Sequence, residues 1–157
     1  MGFATLSLKG RALRLLAQRE HSRAELQTKL SRHVQEGDDL AAVLDELEAK
    51  DFINAGRVAD SVVNRRAPRL GMQRVMQELR GKGLDEALVR ATAERLKDTE
   101  IDRARAVWRR RFDGPPQSLQ ERAKQTRFLM TRGFGGDTVR KVLAGALEDA
   151  GDEGSAG

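Results

Sequence analysis

Apolar residues along this chain recur three and four positions apart, with no sustained two-residue alternation, and that period predicts helices throughout. The first helix is predicted from about Lys9 to Arg19, with Leu8, Ala12, Leu15 and Leu16 on one face. His21 and Ser22 break it. Ser22-Arg23-Ala24-Glu25 then reads as a capping box, the Ser hydroxyl accepting a backbone N–H while the Glu reaches back to the cap. Leu26, Leu30 and Val34 continue a second helix that Gly37 ends, and Asp38 or Asp39 caps a third carrying Leu40, Val43, Leu44 and Leu47.

The plan then repeats. Asn54 caps a helix with Val58, Val62 and Val63 that stops before Pro68. Gly71 opens the next, with Met72, Val75, Met76 and Leu79 on one stripe; Gly81-Lys82-Gly83 stops it, and Asp85 caps a helix with Leu88, Val89 and Leu96. Asp98 or Thr99 starts a helix with Ile101, Ala104, Trp108 and Phe112, and Gly114-Pro115-Pro116 reads as a linker. Ser118-Leu119-Gln120-Glu121 reads as a second capping box, before a helix with Ala123, Phe128, Leu129 and Met130. Gly135-Gly136 and Asp137 lead into a last helix with Val139, Val142, Leu143 and Leu147.

One motif binds these elements into a period: two adjacent apolar residues, two more residues, then Arg. It reads Leu15-Leu16-Ala17-Gln18-Arg19, Val62-Val63-Asn64-Arg65-Arg66 and Val107-Trp108-Arg109-Arg110-Arg111, with starts 47 and 45 residues apart. The expected fold class is all-α, three tandem three-helix repeats forming an elongated, curved array. The repeats are expected over residues 1–50, 51–97 and 98–150, followed by a disordered acidic tail over 151–157. Units this small are expected to bury their apolar stripes by stacking on their neighbours.

Composition narrows the function. Charged residues make up 34% of the chain and aromatics 4%, which leaves no repeated aromatic platform for stacking bases. Cysteine is absent, which excludes disulfides and thiolate metal sites. No stretch reaches the roughly 20 apolar residues of a membrane span, and the expected location is cytoplasmic, as a monomer. The net charge of +5 is unevenly spread: residues 103–141 hold 11 basic and 3 acidic side chains, whereas residues 142–157 hold 4 acidic and no basic ones. A local acidic block, residues 38–51, holds six acids and one Lys. A basic field over the last third points to an anionic partner, nucleic acid or an acidic protein surface.

No arrangement of residues suggests catalysis. His21 and His33 lack a His/Asp/Glu cluster with metal spacing, Gly81-Lys82-Gly83 lacks the spacing of a P-loop, and no nucleophile is matched with a base. The expectation is a binding protein without cofactor. Arg19, Arg66 and Arg111 each border a buried stripe and are expected to pack their stems there with the head on a neighbouring carboxylate or helix end. Trp108, in line with Ala104 and Phe112, is expected in the core. The expected contact surface comprises Arg65, Arg69 and Arg74 about the second repeat's turn; Arg103, Arg105, Arg109 and Arg110 along one helix; and Arg122, Lys124, Arg127, Arg132, Arg140 and Lys141 beyond it. Arginine suits bidentate contact with carboxylate or phosphate.

Three segments carry a family resemblance: Leu15 to Leu30, with its apolar helix, Arg, Ser cap and Glu-Leu; Gly71 to Asp85, centred on Glu78-Leu79-Arg80-Gly81-Lys82-Gly83; and Leu129 to Phe134, ending Arg132-Gly133-Phe134. In order and spacing the chain resembles the RecX family of bacterial regulatory proteins over residues 8–148. It departs at residues 52–59, where the family's acidic pair with aromatics is replaced by Phe52-Ile53-Asn54 and a valine-bearing helix. The resemblance implies a curved helical protein that binds along the filament of the recombinase RecA on single-stranded DNA. It implies inhibition of filament growth, ATPase, strand exchange and the co-protease activity behind the SOS response. Two other readings fit the charge: a direct nucleic-acid binder, whose affinity would fall steeply with salt, and a helical scaffold for another acidic protein.

Overall fold

The computed structural model describes residues 5–154, and among these every regular element is helical. The first three helices are α1 (Leu8–Gln18), α2 (Arg23–Leu30) and α3 (Leu40–Ala49). The next three are α4 (Ala55–Arg66), α5 (Met72–Gly81) and α6 (Glu86–Lys97), and the last three are α7 (Glu100–Arg111), α8 (Leu119–Thr131) and α9 (Gly136–Gly154). All helix pairs in extensive contact lie within one of these triplets. Each triplet also has its own hydrophobic cluster: Leu8, Ala12, Leu26, Leu30, Leu44, Leu47 and Ile53 in the first, Val62, Val75, Leu79, Val89 and Leu96 among the second, and Trp108, Leu129, Phe134, Val139, Val142 and Leu143 among the third. The array is extended. A compact protein of 17.4 kDa exposes about 7,900 Å², and this one exposes 10291 Å².

Most helix starts follow the sequence signals. Ser22 forms the complete capping box with Glu25, and Asp39, Asn54 and Asp85 each accept an amide hydrogen bond as N-caps, contacts worth about 1 kcal/mol each. The second box is incomplete: Ser118 accepts the Glu121 amide, but Glu121 itself accepts from the Gln117 amide. The second helix ends at Leu30 and tightens into a 3-10 turn, Ser31–His33, which leaves Val34 42% exposed. Ala123, Met130 and Leu147 also face outward. The tail expected from Gly151 is helical through Gly154, and residues 155–157 lie outside the described residues. Gly114-Pro115-Pro116 is a loop within the third triplet. Gln125, buried on α8, accepts from Trp108 Nε1 at 2.8 Å and donates to the Gly114 carbonyl at 3.2 Å, so Trp108 is core with its one polar atom satisfied.

The triplets meet differently from the stacked apolar stripes that the sequence suggests. Their joints are polar and follow one pattern. At the first, Ser22 Oγ donates to the Lys82 carbonyl at the end of α5 (2.6 Å), and Lys82 Nζ pairs with Glu25 at 3.1 Å. Gly83 follows with φ +74, and a Cβ there would lie 2.7 Å from that of Ala24. At the second, the Gly71 amide donates to the Arg132 carbonyl at the end of α8 (2.8 Å), and the Gln73 amide to the Gly133 carbonyl (3.2 Å). In both, the start of one triplet's middle helix seats against the glycine turn that closes the next triplet's middle helix.

Gly71 has no side chain with which to cap α5, and its backbone (φ −77, ψ 168) is one any residue adopts. What excludes a larger residue is proximity: a Cβ would stand 2.4 Å from the carbonyl carbon and oxygen of Gly133. The missing cap is supplied from the third triplet. Glu100, in the first turn of α7, accepts the Met72 amide at 3.1 Å and pairs with Arg103. Arg103 then donates to the Ala67 and Leu70 carbonyls at 3.0 and 2.8 Å, satisfying groups at the end of α4.

Candidate binding surface

Many charges in the first two triplets pair internally, but Arg11, Arg14, Lys29 and Arg32 have no carboxylate partner among the described residues and line a cleft of about 440 Å³ in the first triplet. Four of the acidic block's six acids are met by cations: Lys9 and Lys50 on Glu46, Arg23 on Asp45 and Glu48, and Arg57 on Asp51. Glu25 lies in the first joint. Burial pushes its carboxyl up, but hydrogen bonds from Arg19, the Ser22 amide and Lys82 outweigh that and hold its pKa at about 2. His21, 1% exposed, sits beside it, with Nδ1 3.0 Å from the Arg19 carbonyl and Nε2 3.2 Å from Lys29 Nζ. Burial foremost lowers its pKa; the Arg19 carbonyl opposes this, while the charges of Arg19 and Lys29 add to it. A neutral ring donating through Nδ1 and accepting at Nε2 fits these contacts.

The expected contact residues separate into three groups. Arg103 is turned inward, its side chain 14% exposed, as the polar brace described above. Arg74 belongs to the second joint, donating to the Thr131 carbonyl at 3.0 Å, and Arg65 pairs with Glu78 at 3.2 Å. Arg105 pairs with Asp102 at 3.2 Å, and Arg140 pairs with Asp137. Arg122, Lys124, Arg127 and Lys141 are exposed on α8 and α9 without converging on one point.

The third group does converge. Arg69 from the α4–α5 loop, Arg110 and Arg111 from the end of α7, and Arg132 from the end of α8 line one cleft of about 250 Å³ with Val107 and Phe128. None of the four has a carboxylate partner among the described residues. Three of them are held by a dipole or a ring: Arg110 donates to the Pro68 carbonyl at 2.8 Å, and the guanidinium carbons of Arg132 and Arg111 lie 5.0 and 5.8 Å from the Phe128 centroid. Three held guanidiniums with a fourth, Arg69, exposed beside them and no counter-charge form an anion site.

Arg111 was not expected here. Its equivalents Arg19 and Arg66 reach acids on the middle helix of their own triplet, Glu25 and Glu78. In the third triplet Arg111 meets Phe128 instead, and so keeps its charge free for a partner. The signal was present in the sequence as the lack of an acid beyond Glu121 on that helix.

Two further depressions border the same helix. Arg105 and Arg109 line a cleft of about 470 Å³ with Trp108 and Phe112, facing Asp149 and Glu153 of α9. Arg109 and Arg110 edge a wider groove between α4 and α7, about 880 Å³, lined chiefly by aliphatic carbon. Sequence reasoning missed this groove, because Val63, Ala67 and Pro68 lie at or just past the end of α4 while Ala106 lies far along the chain on α7.

The chain matches known proteins over most of its length. Residues 9–47 match the first three-helix domain of RecX and residues 98–143 match the third. The chain is 51% identical over 138 residues to the Regulatory protein RecX of Leptothrix cholodnii, covering 88% of each. It is 50% identical over 151 residues to that of Ralstonia nicotianae, covering 94% of each. The crystal structure of RecX from Lactobacillus salivarius superposes with a TM-score of 0.75 at 20% identity, over 88% of this chain and 94% of that one, a likeness of fold.

Proposed function

This chain belongs to the RecX family of regulatory proteins, and from that premise we propose that it restrains RecA by binding along the filament that RecA forms on single-stranded DNA. Bound there, it inhibits the filament's growth, ATPase, strand exchange and co-protease activity. The observation that carries this reading is the cleft of Arg69, Arg110, Arg111 and Arg132, four cations without a carboxylate partner among the described residues, on an extended three-triplet array. An extended molecule can follow a groove, and its free arginines can meet carboxylate or phosphate there. The protein needs no cofactor for this and acts as a monomer.

The test is the single-stranded-DNA-dependent ATPase of a bacterial RecA, titrated with this protein, with binding to bare DNA measured alongside. Inhibition at concentrations well below those that coat bare DNA is the expected result. Inhibition only once the DNA itself is covered would refute action on the filament. The same arginine cleft also supports a second reading, direct nucleic-acid binding. In that case log affinity for bare DNA falls linearly with log salt, with a slope of about −0.7 per phosphate neutralised on a single strand.

A further inference from the structure

The groove between α4 and α7 combines two properties that neither nucleic acid nor solvent satisfies together. Its floor is aliphatic, built from Val63, Ala67 and Pro68 on one side and Ala106 on the other. No aromatic ring lines it, so it offers nothing for a base to stack on. Among its polar neighbours, Arg103 is turned into Glu100 and the Ala67 and Leu70 carbonyls, Asp102 pairs with Arg105 at the exposed rim, and Asn64 is exposed. The charges there without an opposite charge among the described residues are cationic. Arg109 and Arg110 stand exposed at the groove's edge, and past Arg110 the chain of guanidiniums continues into the arginine cleft.

We infer that this groove is the docking site for a polypeptide segment of the filament protein, one that lays an aliphatic side chain on the floor and directs adjacent carboxylates at Arg109 and Arg110. Charge complementarity selects this occupant. A phosphodiester strand would neutralise the two arginines but leave the aliphatic floor in water, whereas an acidic-aliphatic segment satisfies both. Burying the floor supplies affinity, and the arginine edge fixes polarity and register. The inference rests on the proposed action on the RecA filament and assigns the aliphatic floor to the protein component of that filament, with Arg110 shared between the groove and the arginine cleft.

Ala106 makes this testable, because it is exposed on α7 and faces the groove without belonging to a hydrophobic cluster. Ala106→Trp fills the groove, and Ala106→Glu sets a carboxylate against the incoming ones. Each is titrated against the RecA ATPase on single-stranded DNA and, separately, against bare single-stranded DNA. Both variants are expected to raise the half-inhibiting concentration at least tenfold, and Ala106→Trp to leave bare-DNA affinity within twofold. Wild-type inhibition unchanged in both variants overturns the groove while leaving the proposed function standing. Equal losses of inhibition and of bare-DNA binding in Ala106→Trp assign the groove to nucleic acid and also overturn it. A wild-type protein that fails to inhibit overturns both readings.

A second measurement does not depend on steric bulk. The chain contains no cysteine, so Ala106→Cys introduces a single thiol whose maleimide labelling is read by mass. Protection by the filament but not by DNA alone is expected. Protection by this protein's own concentration would name a second copy as the occupant, and no protection by the filament would exclude it; either result refutes the assignment.

Discussion

Gly71→Ala is a one-carbon change with a cost that can be worked from distances. The added Cβ would stand 2.4 Å from the carbonyl carbon and oxygen of Gly133, both backbone atoms that no rotamer can move. Restoring ordinary contact, at 3.4 Å or beyond, separates the two triplets locally by about 1 Å. The joint's hydrogen bonds, 2.8 Å from the Gly71 amide to Arg132 and 3.2 Å from the Gln73 amide to Gly133, would then lie beyond bonding distance. Two lost bonds with partly buried partners cost about 2–3 kcal/mol, equivalent to a fall in Tm of roughly 5–10 °C for a chain of this size. Gly81→Ala is the matched control. It lies at the other end of the same helix, with nothing within 4 Å of its Cβ position, and should stabilise by about 0.5–1 kcal/mol. Thermal melts followed by circular dichroism read both. A Gly71→Ala variant that melts with the wild type would refute the account of the joint.

Three other outcomes are expected. Glu100→Gln removes the charge that caps α5 and pairs with Arg103; because Arg103 keeps its carbonyl partners, the loss is about 2–3 kcal/mol by urea denaturation rather than the full cost of stranding a buried ion, and the loss should shrink in an Arg103→Met background. Acid should act in two stages: folded His21 titrates below its ordinary 6.5, so stability present above that pH declines as pH falls through the lowered pKa, and Glu25, at about 2 instead of 4.5, withdraws its share as pH falls from about 4.5 toward 2. Urea midpoints across pH should therefore fall less steeply below pH 4.5 in Glu25→Gln than in wild type, and an unchanged slope would remove Glu25 from the account. Arg110→Glu combined with Arg132→Glu should raise the half-inhibiting concentration for the RecA filament at least tenfold with helicity intact; unchanged inhibition would take the arginine cleft out of the interface.

Local signals carried most of the fold. Ser22, Asp39, Asn54 and Asp85 act where short polar side chains before an apolar stripe must act, because the orphan amides of a helix start need a nearby acceptor. What escaped reading depends on contacts distant in sequence. Nothing near Gly71 announces that Glu100, 28 residues on, will cap its helix, and a glycine held by proximity looks the same in sequence as a glycine in a turn. Val34 was misplaced because its spacing from Leu30 fits a helix that Ser31–His33 tightens and ends. The basic field was legible as composition, but its division was not. Arg103 and Arg110 lie on one edge of α7, and only the end of α4 and the loop after it decide that the first is a brace tied to Glu100 while the second rests on the Pro68 carbonyl with no carboxylate partner among the described residues.

The polar joints also bear on how the molecule's form is tuned. The last helix, α9, is 19 residues long, about 28 Å at the usual rise per residue. A wedge of about 1 Å at a contact one helix wide, roughly 10 Å, tilts the third triplet by about 6° and swings the far end of such a helix by about 3 Å. Two glycine contacts, at Gly71 and Gly83, thus set the pitch of the array as a whole. Single substitutions there can retune that pitch to a differently wound filament while every hydrophobic cluster stays as it is.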